Sequence, residues 1–402
     1  MNETLRFAND RELFAYVRKY NLDKIKDLNS LIPDYTFDYI TIDEVIEKIK
    51  NQELNFILLD ARSEKEYEET HIPYALNFPV LTNLERHNVG LVYAKYDQRA
   101  ALLLAKEYAD PKTNELNQFL KKYNTDKKIV YIYCWRGGGR SKYLAKMVID
   151  CGYLVKIIHG GIKSFRQMVN KFNNNPFLYN LIELSGLTGV GKTRILQALN
   201  KKFATIDLER SARHFSSLFG YVPYKIRHQK PVFSQTAFEN NIFSEIVTNY
   251  VKYRRYPFYL IESESKKVGD FLLPENLYYK LLYTYNINIY ANIEVRVSFL
   301  KEDYFMNAEG KSEMLRIFSE KERFFKQELG GKLYYELLTD LQRDKVDSFI
   351  EKMLINYYDI KYRKKPKTPL LEIENDLQLS AVDKITSFLA EKINYILNSK
   401  GV

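Results

Sequence analysis

Cysteine is scarce in this sequence, and long hydrophobic runs are missing. Cys134 and Cys151 are the two cysteines among 402 residues, too few for a disulfide framework, and this scarcity favours a reducing compartment. Apolar runs such as NFILL and FYLI are far shorter than the ~18 residues that a membrane-spanning helix needs. The start, MNETLRFANDRELF, has no positive region followed by an apolar stretch, so we expect no signal peptide. These features predict a cytoplasmic protein that does not enter a membrane.

Hydrophobic side chains are nevertheless plentiful, at 46% of the chain, and aromatic side chains make up 14%. This composition excludes a disordered or low-complexity protein, and the length predicts two or three domains at roughly 150 residues each. The net charge is +10, which favours a polyanionic partner such as RNA. A genomic base bias toward Lys, Tyr and Asn explains the charge equally well, so charge alone leaves both explanations open.

The pattern of strands and helices predicts four segments. Residues 1–36 form a charged helical extension, and residues 37–175 form an α/β domain with buried strands in FILLDAR and IVYIYC. Residues 176–295 form a second α/β domain with strands in FATIDLE, PFYLIESE and NINIYANI. Residues 296–402 form a helical region in which a Gly-Gly pair separates two helices and KYRKKPKTP precedes a final helix. Alternating strands and helices predict the α/β class with parallel sheets.

A glycine-rich loop follows the first cysteine, in the stretch YCWRGGGRSKYLAK. The cysteine stands at the end of a predicted strand and ahead of a predicted helix. Glycines let successive N–H groups converge on an anion, and the helix N-terminus adds positive potential. The two arginines can bind an oxyanion through paired hydrogen bonds. Together with the loop and the helix, their positive charge favours the nucleophilic thiolate over the thiol. The predicted site comprises Cys134 as the catalytic residue and an anion loop of Arg136, Gly137, Gly138, Gly139, Arg140 and Ser141.

Two enzyme classes fit this loop, and the residues before it decide between them. Cys-x5-Arg-Ser is the loop spacing of cysteine phosphatases. Many of these have a His directly before the cysteine, but Cys134 follows a Tyr. The segment LLDARSEKEYEETHIPYALNFP resembles the rhodanese pattern, in which the cysteine carries sulfur or selenium. This resemblance implies that Asp60 and Arg62 form an ion pair supporting the loop, and that His71 makes a structural hydrogen bond. Cys151 is interpreted as a core residue, with a resolving cysteine as the minor alternative.

The stretch GLTGVGKT matches the phosphate-loop pattern Gly-x4-Gly-Lys-Thr between a predicted strand and a predicted helix. Lys192 would neutralise phosphate charge, and Thr193 is a candidate ligand for Mg²⁺. FYLIESES places Glu262 and Glu264 where an NTPase usually carries a metal-linked acid and a catalytic acid. ATP hydrolysis is therefore one possible function of this loop. The loop would equally bind the diphosphate group of another molecule. The predicted diphosphate site comprises Gly186, Thr188, Gly189, Gly191, Lys192 and Thr193.

Several motifs in fixed order resemble one family across roughly residues 38–362. They are YCWRGGGRS, GGIKSFR, GLTGVGKT, DLE, QTAFEN and IESESKKVGDFLLPENLY, together with ERHNVGLVY, LKEDY, and His214 with Phe219 and Gly220. This series resembles the bacterial tRNA 2-selenouridine synthase family, in which a rhodanese-like domain precedes a P-loop domain. Gly139 departs from the family pattern, where a bulkier residue is common, and RHFSS replaces a commoner His-Arg-Gly run. The first 36 residues and roughly the last 40 lie outside the resemblance.

The resemblance implies both a fold and a chemistry. The fold is a rhodanese-like domain followed by a P-loop NTPase-like parallel-sheet domain with a helical C-terminal region. The activity is that of a transferase, which attaches a geranyl group from geranyl diphosphate to 2-thiouridine at the tRNA wobble position. Selenium from selenophosphate then replaces the S-geranyl group. The P-loop would hold geranyl diphosphate, and Cys134 would carry or deliver selenium. No tightly bound cofactor is expected, and the enzyme that makes selenophosphate is a candidate partner.

Two basic segments are candidates for RNA contact, and two other functions stay open. The segments are YVKYRRYPF and KYRKKPK, the latter from Lys361 to Lys367, although charge runs are usually solvated surface. The alternative function is a sulfurtransferase fused to a P-loop ATPase that acts on a small molecule or a protein carrier. The second alternative is a phosphate-sensing or redox module without catalytic turnover. In it, Cys134 would be a regulatory thiol and the P-loop a nucleotide switch.

Overall fold

The computed structural model describes four stretches of the chain, residues 5–123, 128–361, 368–376 and 379–398. The chain divides into two compact units, Met1–Lys171 and Phe172–Val402. Both are built on parallel sheets with helices, which confirms the predicted α/β class. Within the described stretches, no helix combines the length and the apolar character needed to cross a membrane.

The first unit is built on a five-stranded parallel sheet. Its strands are β1 (Asp38–Ile40), β2 (Phe56–Asp60), β3 (Leu76–Asn77), β4 (Ile129–Tyr133) and β5 (Val155–Ile158). They lie in the order β1-β5-β4-β2-β3. Every residue of β2 is buried, as expected of a central parallel strand that helices cover on both faces. The sheet therefore places the ends of β2 and β4, with Asp60 and Tyr133 paired in register, at one edge.

Helices surround this sheet, and three of them, α2, α3 and α4, begin with capping boxes. Thr41 and Glu44 start α2, and Thr82 and Glu85 start α4 in the same reciprocal arrangement, which satisfies the first N–H groups of each helix. The helices are α1 (Asp10–Val17), α2 (Ile42–Lys50), α3 (Glu64–Glu69), α4 (Asn83–Lys95), α5 (Gln98–Ala109), α6 (Thr113–Tyr123), α7 (Gly139–Asp150) and α8 (Gly161–Asn174).

The N-terminal extension packs into the core of the first unit. Leu13 and Val17 of α1, together with Ile32, are buried in the same cluster as residues of the sheet. The Tyr20 hydroxyl donates a hydrogen bond of 2.6 Å to Glu107 of α5. The structure therefore places the predicted extension in the same compact unit as the α/β domain that follows it.

The second unit has its own five-stranded parallel sheet and a short antiparallel ribbon. The strands are β6 (Leu181–Ser185), β7 (Ala204–Ile206), β8 (Tyr259–Glu262), β9 (Lys267–Val268), β10 (Phe271–Leu272), β11 (Tyr285–Tyr290) and β12 (Leu371–Glu374). The sheet order is β12-β11-β6-β8-β7, and β9 pairs with β10. The strands predicted in FATIDLE, PFYLIESE and NINIYANI are β7, β8 and β11.

Helices of the second unit cover this sheet and form a separate C-terminal core. Phe318, Phe325 and Tyr334 are buried in that core, and Gly330, with φ +79°, separates two of its helices as predicted. The helices are α9 (Lys192–Leu199), α10 (Leu208–Ala212), α11 (Val222–Ile226), α12 (Gln235–Thr248), α13 (Tyr250–Arg255), α14 (Glu275–Leu282), α15 (Ile293–Tyr304), α16 (Ala308–Glu320), α17 (Glu322–Leu329), α18 (Gly331–Gln342), α19 (Val346–Met353), α20 (Asp359–Lys361) and α21 (Leu379–Asn398).

The C-terminal region also supplies a strand, which the sequence did not predict. β12 pairs in parallel with β11, with Ile287 opposite Leu371, and Ile373 is buried in the core of the sheet. Four residues of the LEIE type are too few for a periodicity signal, so only the neighbouring strand identifies this one. The final helix predicted after it is α21, and most of the predicted connector, residues 362–367, lies outside the described residues.

Candidate functional site

Cys134 lies between β4 and α7, where the sequence predicted the thiol loop. Its Sγ atom is 3.1 Å from the hydroxyl of Ser141, and that hydroxyl is also 3.1 Å from the carbonyl oxygen of Gly138. The Cys134 residue is only 4% exposed. The thiol is therefore held by a hydroxyl from the first turn of α7, with a small part of its surface open.

The start of α8 closes against the thiol loop, and both segments need glycine there. Gly137 has φ +70° and Gly161 has φ +58°. A Cβ on Gly161 would lie 2.3 Å from the carbonyl oxygen of Cys134, and the N–H of Ile162 donates to that oxygen at 2.9 Å. The motif GGIKSFR therefore supports the thiol loop, a role that the sequence analysis did not assign to it.

Asp60 and Arg62 form the predicted ion pair beneath the strand that ends at the thiol. Arg62 Nη2 lies 2.6 Å from Asp60 Oδ2, and both side chains are almost fully buried. The Arg62 guanidinium lies 5.7 Å from the ring centre of Tyr133, the residue before Cys134. Burial, with the nearby Asp60 charge, raises the pKa of Tyr133 well above its ordinary value. The Tyr133 hydroxyl accepts a hydrogen bond of 3.1 Å from the N–H of Ile72.

His71 follows α3, the helix after this ion pair, and makes the predicted structural hydrogen bond. Its Nδ1 atom is 3.0 Å from the carbonyl oxygen of Tyr67. Its ring also stacks on the Tyr67 ring at 4.2 Å. His71 therefore fixes the end of α3 through Tyr67.

The two arginines of the thiol loop differ in their surroundings. Arg140 forms a bidentate pair with Glu66 of α3, at 2.6 and 3.3 Å, and Arg86 lies 3.1 Å from the same carboxylate. Burial alone would raise the pKa of Glu66, but these guanidinium groups outweigh it and lower the pKa. Arg136 is exposed and makes no ion pair within the described stretches. An anion at the loop therefore meets Arg136 and backbone N–H groups, while Arg140 is held by its carboxylate.

The phosphate loop follows β6 and runs into α9, as the motif predicts. Gly186, Gly189 and Gly191 have φ values of +144°, +82° and +85°. A Cβ on Gly186 would lie 2.1 Å from the carbonyl oxygen of Ile289 on β11. The Lys192 ammonium donates to the carbonyl oxygen of Gly186 at 2.9 Å. The loop therefore has the tight, glycine-dependent shape that brings backbone N–H groups to a phosphate.

Two residues outside the motif hold this loop in place. Asn375, directly after β12, donates from Nδ2 to the carbonyl oxygen of Val190 at 2.8 Å. Arg296 of α15 donates from Nε to the carbonyl oxygen of Thr188 at 2.9 Å and pairs with Asp359 at 2.6 Å. Both residues are buried. The sequence analysis missed them because neither lies in a recognisable motif.

Carboxylates surround the Thr193 hydroxyl, which lies 2.8 Å from Glu209 Oε2 and 3.0 Å from Glu262 Oε2. The N–H of Glu209 also donates to Glu262 Oε1 at 2.8 Å. Burial raises the pKa of Glu209, with a further contribution from Glu264, and burial with the Glu209 charge raises that of Glu262. The structure therefore brings Glu262, one of the two candidate acids, to Thr193 together with Glu209; the other candidate, Glu264, lines the adjoining cavity.

These oxygens would suit a Mg²⁺ ion whose coordination shell is completed by phosphate oxygens. Mg²⁺ prefers oxygen ligands and is usually held by one or two carboxylates together with substrate phosphates. Thr193, Glu209 and Glu262 supply a hydroxyl and two carboxylates. Within the described stretches, no cluster of three or more His, Cys, Asp or Glu could hold a metal ion. The donor set therefore suits a metal shared with a bound diphosphate.

The cavity at the phosphate loop adjoins a second, apolar pocket. The first has a volume of about 370 Å³ and is lined by Lys192, Thr193, Glu209 and Arg227 among others. The second, of about 40 Å³, shares Thr188, Ser217, Leu300 and Tyr304 with the first. Its remaining lining includes Phe219, Phe305, Met314, Phe349, Ile350 and Met353. A polar cavity at the phosphate loop therefore borders a small apolar pocket.

His214 joins three of the motifs that resemble the family. A Cβ on Gly220 would lie 2.5 Å from the His214 ring, and a Cβ on Gly269 would lie 2.6 Å from it. Burial lowers the pKa of His214, so the imidazole is held in its neutral form. Both glycines therefore leave room for one partly buried ring, which connects these separated motifs.

The first RNA-contact candidate, YVKYRRYPF, contains α13. Tyr253 lies 5.1 Å from Tyr179 and stacks on Tyr259 at 5.0 Å, so its ring contributes to internal packing. Arg254 lies 5.0 Å from the ring centre of Tyr250. The structure thus commits some of these aromatic rings to the core. In the second candidate, Lys361 pairs with Glu328 at 2.8 Å, and residues 362–367 lie outside the described residues.

Comparison with known proteins supports the order of the two units. The model of the tRNA 2-selenouridine synthase AAA domain matches residues 179–391, and that of the rhodanese-like domain matches residues 41–168. A tRNA 2-selenouridine synthase from Bdellovibrio bacteriovorus is 29% identical over 350 residues, covering 79% of this chain and 90% of that protein. One from Shewanella denitrificans is 28% identical over 329 residues, covering 76% of this chain and 87% of that protein. These matches confirm the resemblance predicted from the motifs.

Proposed function

Because this chain belongs to the tRNA 2-selenouridine synthase family, we propose that it modifies tRNA in two steps. The first step attaches a geranyl group to the sulfur of 2-thiouridine at the wobble position, with geranyl diphosphate as the donor. The second step replaces the S-geranyl group with selenium, with selenophosphate as the donor. The phosphate loop serves the first step, and the thiol loop serves the second.

The observation that carries this proposal is the apolar pocket beside the phosphate loop. A nucleoside triphosphate needs room for a base and a ribose, whereas a prenyl diphosphate needs a polar space next to a hydrocarbon space. Thr188 and Leu300 line both spaces here. Met314 and Met353 also line the apolar pocket, and methionine side chains adapt readily to the shape of a ligand. At about 40 Å³ this pocket holds only the first part of a geranyl chain, so geranyl diphosphate would bind fully only after the methionines move and widen it.

In the first step, the sulfur attacks the carbon that bears the diphosphate, the C–O bond breaks as diphosphate leaves, and N3 of the base releases its proton. Lys192 and the N–H groups of the loop stabilise the negative charge that grows on the leaving oxygen. Thr193, Glu209 and Glu262 would hold a Mg²⁺ ion, which would neutralise further diphosphate charge. Asn375 and Arg296 keep the loop in the shape that this requires. The step consumes one geranyl diphosphate for each alkylated sulfur.

In the second step, alkylation makes sulfur a good leaving group. The sulfur of a thiocarbonyl leaves poorly, whereas an S-geranyl group leaves as geranylthiol. Water adds its oxygen to phosphorus as the P–Se bond breaks, and selenium adds to C2. The C2–S bond then breaks, and the two protons that came with water and selenide go to the leaving sulfur and to N3. Selenium stays at the selenide level throughout, so the exchange needs no oxidant or reductant. Arg136 and the loop N–H groups bind selenophosphate, and Cys134 assists the delivery of selenium to C2 without forming an S–Se bond, because that bond would need an oxidant.

Mass spectrometry of nucleosides tests the proposal directly. The protein is incubated with tRNA that contains 2-thiouridine and with geranyl diphosphate, with or without selenophosphate. We expect a mass gain of one geranyl group without selenophosphate, and conversion to 2-selenouridine when it is present. Unchanged 2-thiouridine in a folded preparation that binds tRNA would contradict the proposal and favour a sulfurtransferase fused to an ATPase. A cyanide–thiosulfate assay on the same preparation would then measure that alternative activity.

A further inference from the structure

We propose that an apolar cavity beside Cys134 holds the geranyl chain of the S-geranyl tRNA intermediate during the exchange for selenium. This inference rests on the proposed function and adds a binding site for the hydrocarbon within the first unit. The cavity has a volume of about 720 Å³, within the range of ~300–1,000 Å³ that small-ligand sites usually have.

The walls of this geranyl cavity come from separate parts of the first unit. A turn near residue 28, helix α4 and helix α5 supply the apolar lining, through Leu28, Leu31, Val89, Leu91, Leu102 and Ala105. The thiol loop forms the remaining wall, with Cys134, Trp135, Gly138 and Gly139. A hydrocarbon chain in the cavity would therefore lie next to the thiol.

The cavity is larger and more apolar than the other reactant needs. Selenophosphate is a small anion, and Arg136 with the loop N–H groups suits it without any hydrocarbon lining. An S-geranyl group has the opposite character, because it is long, branched and uncharged, and it is bonded to the sulfur that must leave. Burying the chain beside Cys134 would place that sulfur and C2 at the thiol loop. The intermediate thus explains why an apolar space adjoins an anion site.

Gly90 gives this cavity a second, independent sign of function. It lies inside α4, where glycine weakens a helix relative to alanine. A Cβ built on Gly90 would meet no atom within 4 Å, so no crowding in the described fold requires a glycine. Gly90 lines the cavity and belongs to ERHNVGLVY, a family-like motif to which the sequence analysis gave no role. The missing side chain keeps the space open at the cost of helix stability.

The rim of the cavity suits a chain that is attached to RNA. Arg86, His87, Lys106 and Arg136 are among the lining residues of the cavity; Arg86 also pairs with Glu66, and Lys106 with Asp110. Trp135, which follows the thiol, is 50% exposed and can stack against a base, as aromatic residues do with unstacked RNA bases. A basic and aromatic rim around an apolar interior thus matches an apolar group carried on an anionic polymer.

Trp135 supplies the first test, because it is the single tryptophan of the chain and it lines the cavity. An RNA anticodon stem–loop with S-geranyl-2-thiouridine is titrated into the full chain while tryptophan emission is recorded. A matched stem–loop carries S-methyl-2-thiouridine. We expect a saturable emission change with the geranyl RNA at a concentration at least 10-fold lower than with the methyl RNA. Equal responses to the two RNAs would overturn the inference, and this measurement does not require turnover.

Gly90→Phe supplies the second test, because it places a ring in the cavity. The KM for geranylated tRNA in the selenium exchange should rise about 10-fold, and Gly90→Leu should have a smaller effect of the same sign. Ala94→Phe adds the same ring to an exposed position of α4 that does not line the cavity, and it controls for helix damage. Circular dichroism confirms that each variant folds.

The outcomes separate the inference from the function on which it rests. If the wild-type protein converts geranylated tRNA and Gly90→Phe has the KM of Ala94→Phe, the cavity does not hold the chain and the function stands. If the wild-type protein makes no 2-selenouridine, the proposed function fails. The fluorescence comparison still decides in that case whether the cavity recognises a geranyl group.

Discussion

At the scale of single residues, charged partners decide which side chains of a motif can meet a substrate. Arg136 and Arg140 are equivalent in the motif, but Glu66 of α3 binds Arg140 at 2.6 Å. Glu262 and Glu264 form a comparable pair, but Glu262 is the one that contacts Thr193. Under the proposed function, selenophosphate would therefore meet Arg136 at the thiol loop, and a metal bound to diphosphate would meet Glu262 at the phosphate loop.

The two proposed steps depend on different residues, so they should be separable by mutation. Lys192→Ala should reduce geranylation at least ~100-fold, because it removes the cation that stabilises the leaving diphosphate. Cys134→Ala should spare geranylation and stop the formation of 2-selenouridine from geranylated tRNA. Nucleoside mass spectrometry of each half-reaction measures both effects.

Cys151→Ala is the matched control for the thiol. Cys151 lies at the far end of α7, packs against the core of the first unit and is partly buried, and burial raises the pKa of its thiol. The Cys151→Ala variant should therefore retain the activity of both half-reactions. Loss of both steps in a folded Cys134→Ala variant would contradict the division of labour between the two loops.

At the scale of elements, the phosphate loop depends on a strand far away in the chain. β12 delivers Asn375 to the carbonyl oxygen of Val190, across 185 positions of sequence. A Cβ on Gly191 would lie 2.6 Å from the Asn375 amide, so the loop and this side chain fit closely. The last strand of the sheet thus acts as a support for the motif that follows the first strand of the unit.

Asn375→Ala should weaken diphosphate binding without affecting the thiol loop. The carbonyl oxygen of Val190 would lose its donor in a buried place, which costs ~1–3 kcal/mol. We expect the KM for geranyl diphosphate to rise about 10-fold, while selenium exchange on tRNA that is already geranylated keeps its rate. Steady-state kinetics of the two half-reactions measures this difference.

Asn288→Ala provides a control on the neighbouring strand. Asn288 of β11 also bonds a residue of β12, with 3.3 Å to Glu372, but in an exposed place where water can replace the bond. Its KM for geranyl diphosphate should stay close to that of the wild type. An equal rise in both variants would indicate general damage to the edge of the sheet.

At the scale of the whole molecule, the net charge of +10 suits a tRNA partner, whose phosphates make binding depend on salt. Replacing four basic residues of the second RNA-contact candidate by Ser tests this segment. The slope of log affinity against log salt should then fall by up to ~3, at about 0.7–0.9 for each lost phosphate contact. The four positions are Arg363, Lys364, Lys365 and Lys367.

A second variant separates local contact from total charge. It removes the same charge from exposed lysines of the first unit, and filter binding at several salt concentrations compares the two slopes. Equal salt slopes for the two variants would mean that the segment acts only through the total charge of the protein and makes no specific contact with RNA phosphates. The four control positions are Lys24, Lys26, Lys65 and Lys95.

Features set by neighbouring residues could be predicted from the sequence alone. The phosphate loop, the thiol loop and their flanking strands and helices all depend on local rules, because glycine permits the tight turns and apolar patterns mark buried strands. The α/β class and the order of the two domains were predictable for the same reason. The pairing of Asp60 with Arg62 was expected from the resemblance of their segment to the rhodanese pattern.

Contacts between distant residues needed the tertiary structure. Glu66 reaches Arg140 across 74 positions, and Glu262 reaches Thr193 across 69, because the order of parallel strands brings their carboxyl ends together. β12 could not be predicted, since four residues become a strand only when β11 offers a partner. The geranyl cavity likewise exists only where a turn, two helices and the thiol loop enclose a space, and no local pattern describes a space between elements.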